Sequence, residues 1–143
     1  MDPKEIWRNR PEIEVLNALH ENTAVDRLGI EIMAVGPDYL EGRMPVDHRT
    51  LQPFGLLHGG ASVLLLETLA SAAGNHCIDQ ATQLCVGLAI NCNHLRAVRE
   101  GFVRGRAEAI HVGRRSMVWG LNLYDEQERL VCNGRMTAAV VEH

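Results

Sequence analysis

Glu67, Gly59 and Gly60 are the residues whose types and spacing point to chemistry. Glu67 lies in the middle of an almost wholly apolar segment that runs from His58 to Gly74. An ionised carboxylate is costly to keep in poorly solvated surroundings without partners, and such carboxylates concentrate at functional sites. Glu67 is therefore a candidate functional residue. The alternative is a structural acid that pairs with an arginine or points out through a gap in the packing.

The two glycines follow His58 directly, at the start of the same segment. Residues 52–58, Gln-Pro-Phe-Gly-Leu-Leu-His, lead straight into it. Glycines in the first turn of a helix leave backbone N–H groups open to close approach by a ligand. These N–H groups, reinforced by the helix dipole, suit an anion or an oxyanion that develops during a reaction.

The spacing of Gly59 and Glu67 predicts that one chain cannot complete the site. Eight residues separate them, which is about 12 Å along a helix axis, and the leaning side chain of Glu67 recovers about a third of that. A reacting centre needs its donors within about 3 Å. If both groups act together, they come from two copies of the chain whose helices run antiparallel about a two-fold axis.

The element that carries these groups is predicted to be one long helix over residues 58–74. Its residues are good helix formers, and Gly74 is interpreted as a left-handed stop. The helix would be about 25 Å long. Because apolar residues occur on every face, we expect it to be buried on most sides.

The rest of the chain is predicted to form a short helix and a sheet. Residues 11–20 have the pattern of a helix with Pro11 at its first position and Ile13, Leu16 and Leu19 on one side. Alternating polar and apolar residues predict a hairpin and then four antiparallel strands. The predicted fold is α+β, a single domain over residues 1–143 in which a curved antiparallel sheet of about six strands wraps the long helix. The predicted strands are 28–34, 40–46, 84–93, 102–112, 116–124 and 130–141.

The composition narrows the class of protein. With 46% hydrophobic and 22% charged residues, the 143-residue chain is typical of one globular domain. The apolar segment is short for a membrane span and contains an acid, and no signal peptide is recognisable. We therefore expect a cytoplasmic protein that neither spans nor binds a membrane. The cysteines form no CxxC pair and the histidines have no ligand spacing, so no metal is expected.

Arginines are concentrated in one window of an otherwise acidic protein. The net charge is −4, but residues 94–115 carry six arginines against two glutamates. A local basic window indicates an anionic small ligand rather than nucleic acid, and arginine binds phosphate in bidentate fashion. The alternative is a solvated strand face.

Two sets of residues resemble one known family. They are residues 52–62 with Glu67 to Ser71, and Val86-Gly-Leu followed by residues 91–96, Asn-Cys-Asn-His-Leu-Arg. In this order they resemble the hotdog-fold acyl-CoA thioesterases, in particular the aryl-CoA branch that includes 4-hydroxybenzoyl-CoA and 1,4-dihydroxy-2-naphthoyl-CoA hydrolases. The resemblance extends from about Trp7 to the C-terminus.

The resemblance implies a role for each matching residue. Glu67 matches the catalytic carboxylate, acting as nucleophile or as general base, and the Gly59 N–H matches the oxyanion donor of the other subunit. Gln52 and His58 match residues that contact the thioester or its attacking water, and Ser71 matches a residue that faces the same site. Arg96, Arg114 and Arg115 would bind the CoA phosphates. The residues implied in CoA or acyl binding are Gly87, His94, Leu95, Arg96, Ala97, His111, Val112, Gly113, Arg114, Arg115 and Ser116.

The implied activity is hydrolysis of acyl-CoA thioesters, with aryl groups preferred and no cofactor beyond the CoA of the substrate. Family members assemble as dimers of dimers, so a homotetramer of composite homodimers is expected. Two alternatives on the same fold stay open, a non-catalytic acyl-CoA-binding module and a carrier-linked acyl hydratase or dehydratase. An α/β-hydrolase is excluded because the chain is short and has no G-x-S-x-G motif.

Overall fold

A computed structural model describes residues 4–143, in which a six-stranded antiparallel sheet packs against one long helix. The predicted α+β hotdog architecture is confirmed. Over these residues the chain forms three helices and six strands in the following order: α1 (Ile13–Leu19), α2 (Ala24–Arg27), β1 (Glu31–Val35), β2 (Tyr39–Pro45), α3 (Gly59–Asn75), β3 (Gln83–His94), β4 (Phe102–Val112), β5 (Ser116–Tyr124) and β6 (Leu130–Glu142).

The long helix α3 buries one face against the sheet and leaves the other face half-buried. Leu65, Leu66 and Leu69 are fully buried against the sheet, and α3 contacts strands β2 to β6. Val63, Leu64 and Glu67 lie on the half-buried side. The helix was expected to be buried on most sides, and within one chain its second face is only half-buried, which leaves apolar surface for a further neighbour.

Gly74 does not end the helix, so its interpretation as a left-handed stop was wrong. The helix continues to Asn75 and is capped by His76 in a right-handed conformation. Gly74 instead makes room for the sheet, because a Cβ atom built there would lie 2.6 Å from Sγ of Cys85. A packing requirement at the helix–sheet interface explains this glycine better than a turn.

The sheet order is β1-β2-β4-β5-β6-β3, and every pair is antiparallel. The predicted strands match the observed ones to within a few residues because their alternating pattern matches a sheet with one face on the core. Strand β3 is one edge of the sheet, and its Leu84 and Leu88 are 45% and 66% exposed. This edge carries apolar side chains and backbone groups without a neighbouring strand, as an edge that pairs with another copy would.

The N-terminal segment differs most from the prediction. The helix α1 begins at Ile13, after Pro11 and the N-cap Glu12, so Pro11 is not its first residue. Leu16 is buried whereas Leu19 is 68% exposed, because a repeat of three residues drifts around a helix of 3.6 residues per turn. The sequence reading also missed α2, whose N-cap is Thr23.

Candidate active site

A cleft at the N-terminus of α3 contains one group of the predicted site residues. Its volume is about 400 Å³. The loop before α3 contributes Gln52, whose side-chain Oε1 accepts a hydrogen bond from the Phe54 N–H. The end of β3 and the loop after it contribute the basic side. The predicted residues in this cleft are Gln52, Gly59, His94, Leu95, Arg96 and Ala97.

The backbone N–H of Gly59 is free in this cleft. It receives no acceptor among residues 4–143, whereas the next N–H, of Gly60, donates to Nδ1 of His58 at 2.8 Å. His58 is thus the N-cap of α3. Its Nδ1 is used as an acceptor, so the neutral ring carries its proton on Nε2. The ring of His94 covers Gly59, since a Cβ at Gly59 would lie 2.8 Å from its Nε2.

A second cavity, of about 410 Å³, contains Glu67 and Ser71 on the half-buried face of α3. Glu67 is half-buried and makes neither a hydrogen bond nor a salt bridge with any of residues 4–143. The alternative of a structural acid paired with an arginine is therefore not supported within the chain. Ser71 directs its Oγ to Sδ of Met136 at 4.0 Å.

Gly87 on β3 faces the carboxylate of Glu67. A Cβ atom built at Gly87 would lie 3.1 Å from Oε1 of Glu67, so only a glycine leaves the carboxylate this much room. The ladder with β6 shifts register just after Gly87, which bends the strand beside the helix. Gly87 was predicted to contact CoA, but in this chain its nearest functional neighbour is the predicted catalytic acid.

The two cavities share no lining residue, so a single chain keeps Gly59 and Glu67 apart. The helix geometry explains this, because α3 runs through both positions and separates them by about 12 Å. Within one chain, the free N–H and the free carboxylate therefore do not meet. This is the geometry on which the prediction of a two-chain site rests.

The turn between β4 and β5 lies at the Glu67 end of the sheet. Ser116 pairs with Ala139, which in turn pairs with Val86 on β3, so the turn is two strands, or about 10 Å, from Gly87. His94 lies about 20 Å further along β3. The predicted CoA-binding residues therefore form two groups within one chain. The group in and beside this turn consists of His111, Val112, Gly113, Arg114, Arg115 and Ser116.

The basic window also divides into two groups. Arg104 and Arg106 bind Glu41 at 3.2 and 2.9 Å on the outer face of the sheet, and so fit the alternative of a solvated strand face. Arg96, Arg114 and Arg115 are exposed and make no salt bridge with any of residues 4–143. Arg99 is also exposed and makes no salt bridge with any of these residues, so the free arginines of the window are Arg99 and the three that the resemblance implied as phosphate partners.

Cysteine chemistry does not compete with the carboxylate. All four cysteines are free. Burial raises the pKa of the Cys77 and Cys132 thiols to about 12, and it also raises the pKa values of Cys85 and Cys92. A neutral thiol is a poor nucleophile, so none of these side chains is prepared for attack on a substrate. Among residues 4–143, no three His, Cys, Asp or Glu side chains are grouped as a metal site requires.

The sequence reading missed the outer wall of the Glu67 cavity. His20, Ala24 and Val25 reach it from the α1–α2 segment. Asn22, which adopts a positive φ, and Thr23, which caps α2, are the turn and cap signals that could have revealed this segment. Thr68 and Asn75 of α3 also line the cavity.

Comparison with known proteins identifies the family. Residues 54–132 match the thioesterase superfamily. The chain belongs to the thioesterase superfamily. It is 48% identical over 136 residues to the 1,4-dihydroxy-2-naphthoyl-CoA hydrolase of Escherichia coli, an alignment that covers 95% of this chain and 99% of that protein. It is equally 48% identical over 136 residues to the proofreading thioesterase EntH of Cronobacter turicensis, covering 95% and 98% of the two chains.

Solved structures agree with this assignment. A mutant thioesterase from Pseudomonas aeruginosa superposes with a TM-score of 0.95 at 47% identity, and the match covers 97% of this chain and all of that one. A thioesterase from Haemophilus influenzae gives a TM-score of 0.92 at 49% identity, covering 96% and 95%. The thioesterase described here is therefore a thioester hydrolase with the hotdog fold. No helix in residues 4–143 is long and apolar enough to cross a membrane.

Proposed function

We propose that this thioesterase hydrolyses acyl-CoA thioesters, preferring aryl acyl groups, in sites that two copies of the chain share. One observation carries the proposal. The Glu67 carboxylate and the Gly59 N–H both lack a hydrogen-bond partner among residues 4–143, and they lie in separate cavities of the chain. An unpaired acid beside apolar surface and an open helix N-terminus are costly to keep unless a ligand uses them.

A two-fold axis across the half-buried face of α3 would join the two cavities. With the helices antiparallel, the Gly59 end of one copy lies beside the Glu67 of the other, and each copy supplies half of two identical sites. The half-buried apolar face of α3 and the exposed edge strand β3 support such a homodimer. Two dimers would then form the expected homotetramer.

The proposed chemistry needs only a carboxylate and an oxyanion donor. Glu67, or a water that it deprotonates, attacks the thioester carbonyl carbon, and the π electrons move to the carbonyl oxygen. The Gly59 N–H of the other copy stabilises that oxyanion. Collapse of the intermediate breaks the carbon–sulfur bond and expels CoA thiolate, a good leaving group. When Glu67 acts as base, the free acid is released and the thiolate takes up the proton that Glu67 removed from water. When Glu67 attacks directly, collapse leaves a mixed anhydride, and water hydrolyses it to the free acid, the regenerated carboxylate and the proton that the thiolate takes up. No metal or cofactor enters the balance of this reaction.

The other predicted catalytic-site residues, His58, Gln52 and Ser71, have supporting roles in the proposal. The His58 ring can donate its Nε2–H to the thioester, because its Nδ1 is occupied by the N–H of Gly60. Gln52 would position the thioester or the attacking water from the Gly59 side, and Ser71 would do so from the Glu67 side. Each role requires that the two half-sites meet.

The free arginines would hold the CoA portion from two directions. Arg96 belongs to the Gly59 cleft, whereas Arg114 and Arg115 lie at the Glu67 end of the sheet. In a dimer of the proposed geometry these ends come from different copies. The diphosphate and the 3′-phosphate of CoA could then be neutralised together, and arginine suits both because its guanidinium binds phosphate in bidentate fashion.

The aryl preference is supported by the relatives and by the size of the cavity. One relative of 48% identity is named a 1,4-dihydroxy-2-naphthoyl-CoA hydrolase. The Glu67 cavity, about 410 Å³ with walls of Ala24, Val25, Leu64 and Ala72, is within the range of small-molecule pockets. A flat apolar ring fits such walls.

We further propose that the enzyme acts in the cytoplasm, where CoA thioesters are made.

Release of free thiol from benzoyl-CoA tests the role of Glu67. We expect Glu67→Gln to lower kcat by a factor on the order of a thousand, because it removes the nucleophile or base but keeps the shape. Glu21→Gln, at an exposed glutamate outside both cavities, is the matched control and should match the wild type. Equal rates for Glu67→Gln and wild type would remove Glu67 from the mechanism.

Mixing two inactive chains tests the composite site. Gly59→Ala places a methyl group against the ring of His94 and crowds the oxyanion position. When Gly59→Ala chains and Glu67→Gln chains are mixed at random, half of the dimers contain one chain of each kind. Each mixed dimer has one intact site of two, so activity should recover to about a quarter of wild type. No recovery, with mixed dimers present by mass spectrometry, would contradict the shared site.

Oxygen-18 water separates the two roles of Glu67. In a single turnover, a general base places the label in the product acid. Direct attack gives an anhydride, and water that opens it at the Glu67 carbonyl leaves the label in the protein.

A panel of kcat/KM values for benzoyl, hydroxybenzoyl, dihydroxynaphthoyl, phenylacetyl and fatty acyl-CoA thioesters measures the acyl preference. Equal values across the panel would overturn the proposed aryl preference.

A further inference from the structure

The α1–α2 segment forms a wall of the Glu67 cavity that the proposed chemistry does not use. Its apolar members are Ala24 and Val25, and its polar member is His20. The opposite wall is the half-buried face of α3, on which Glu67 lies. The cavity is therefore a mostly apolar space with polar groups from both walls.

The other polar side chains of the cavity are already engaged within the chain. Thr68 donates its hydroxyl to the carbonyl of Leu64 at 2.7 Å, and Ser71 directs its hydroxyl to Met136. The Asn75 amide donates to two carbonyls and accepts from a backbone N–H of β3. Thr68 and Asn75 therefore have little capacity left for a ligand, and Ser71 is already assigned to the thioester or its attacking water.

His20 is different, because its ring has no hydrogen-bond partner. Nδ1 is buried and unsatisfied among the residues that the structure describes. Burial lowers the pKa of His20, so the ring is neutral at pH 7 and has one donor and one acceptor nitrogen. A buried polar atom without a partner costs free energy. Because Nδ1 is closed to solvent, a ligand in the cavity that His20 lines reaches this atom only when the ring turns.

The position of His20 places it at the end of the cavity remote from the catalytic acid. It also lines the adjoining groove, which it shares with Ala72 and Asn75 but not with Glu67. Ala72 and Asn75 lie about 7 to 12 Å beyond Glu67 along α3. An acyl group whose carbonyl meets Glu67 would direct its far end towards His20.

The backbone of His20 is held firmly enough for recognition. Its carbonyl accepts hydrogen bonds from both the N–H and the hydroxyl of Thr23, at 3.2 and 2.5 Å. Its N–H donates to the carbonyl of Asn17 at 3.2 Å. These bonds fix the turn between α1 and α2, so the ring projects from a defined point rather than from a free loop.

We propose that His20 is a specificity-determining residue that hydrogen-bonds a neutral hydroxyl group on the far end of the acyl moiety. The inference rests on the proposed function, since it requires the acyl group to occupy the Glu67 cavity. A neutral imidazole accepts from or donates to a hydroxyl equally well, and it offers no charge to a carboxylate. The enzyme would therefore select hydroxylated over unsubstituted and carboxylated aryl groups.

Comparison of benzoyl-CoA with its 3- and 4-hydroxy derivatives tests this role. We expect wild type to prefer at least one hydroxylated thioester by about threefold to tenfold in kcat/KM, chiefly through KM. His20→Phe keeps an aromatic ring but cannot form the hydrogen bond, and should erase the ratio. His20→Gln retains a donor and an acceptor and should restore part of it. His48→Phe, at a histidine that is 88% exposed, is the control and should keep the wild-type ratio.

The outcomes separate this inference from the proposed function. Absence of any Glu67-dependent thiol release would overturn the proposed function itself. Glu67-dependent hydrolysis with no hydroxyl preference, or a preference that His20→Phe keeps, would overturn only the role of His20. A His20→Phe variant that slows both substrates by one common factor would reduce His20 to a packing residue.

A binding measurement on wild type avoids variants that fold poorly. The protein is labelled with ¹⁵N-histidine and its NMR spectrum is recorded. Adding 4-hydroxyphenacyl-CoA, a thioether that cannot be hydrolysed, should change the chemical shifts of the His20 ring nitrogens. Phenacyl-CoA without the hydroxyl should leave them near their free positions. Identical shifts with both compounds would contradict the hydrogen bond.

Discussion

At the scale of single residues, the space opposite Glu67 is as important as the acid itself. The carboxylate lies 3.1 Å from the position that a Cβ would take at Gly87. Gly87 is exposed in the single chain, so a side chain there would disturb the carboxylate more than the core. A substitution at Gly87 is therefore expected to lower kcat more than it lowers the free energy of unfolding.

Gly87→Val should lower kcat on the order of a hundredfold, because even a displacement of about 1 Å at a reacting group has this effect. The free energy of unfolding, measured by urea denaturation, should change by about 1 kcal/mol or less. Gly134→Ala is the contrasting variant, since its Cβ would lie 2.0 Å from a backbone oxygen of β3 and must distort the sheet. A Gly87→Val protein with full activity would mean that Glu67 is not held where the proposal requires.

The sequence was sufficient to single out Glu67 and Gly59 as candidates, because each is conspicuous within one continuous segment. It could not reveal that Gly87 faces Glu67, since this contact depends on how β3 docks beside α3. Nor could it place His20 in the same cavity, because that contact depends on how the α1–α2 segment packs across the helix. Local patterns identify the chemical groups, whereas tertiary packing decides which of them meet.

At the scale of elements, one asparagine ties α1 to the edge of the sheet. The Asn17 amide donates to the carbonyl of Ile32 at 3.1 Å and accepts from its N–H at 2.8 Å. The side chain thereby replaces the neighbouring strand that β1 lacks. This link holds the segment that bears His20 against the rest of the fold.

Asn17→Ala should lower the free energy of unfolding by about 1 to 3 kcal/mol, because it leaves two backbone groups of Ile32 without partners. Asn93→Ala, at an exposed position on β3, should change it by about 0.5 kcal/mol or less. Backbone amide hydrogen exchange in the variant should also become faster in residues 13–27 by a larger factor than in β4 and β5. Uniform exchange across the chain would show that α1 is not held by this link.

The packing of α3 on β3 makes a second prediction at this scale. Gly74→Ala gains helix propensity of about 1 kcal/mol but places its methyl group 2.6 Å from Sγ of Cys85. We expect a net loss of about 1 to 2 kcal/mol from overpacking. Cys85→Ala in the same chain should remove the clash, so the double variant should be more stable than the sum of the two changes predicts. Additive changes in urea denaturation would contradict the packing explanation.

The elements also show where sequence patterns are reliable. Strands β4 and β5 coincide with their predicted bounds because alternation runs along all of β5 and along β4 as far as Ala107. The pattern of α1 was less informative, since apolar residues every three positions drift around the helix and Leu19 faces outwards. Gly74 was misread because the same residue type serves a turn and a close contact, and only the contact partner distinguishes them.

At the scale of the whole molecule, a single chain leaves the Gly59 cleft and the Glu67 cavity open and the apolar edge strand β3 uncovered. Leu88 stands at the register shift of the edge strand β3 and is 66% exposed. The same strand carries Gly87 beside Glu67 and, at its other end, His94 over Gly59. Assembly through this edge would therefore couple the oligomeric state directly to activity.

Leu88→Glu tests this coupling, because a charge in an apolar interface weakens association. We expect the dissociation constant of the dimer, measured by analytical ultracentrifugation, to rise about tenfold or more. Specific activity should then fall on dilution and recover at high protein concentration, as mass action requires. Met33→Glu, at a position of β1 that is 46% exposed on the opposite edge of the sheet, adds the same charge away from β3 and should show no such dependence. A monomeric Leu88→Glu protein with full specific activity would mean that one chain carries a complete site, and the shared arrangement of Glu67 and Gly59 would have to be abandoned.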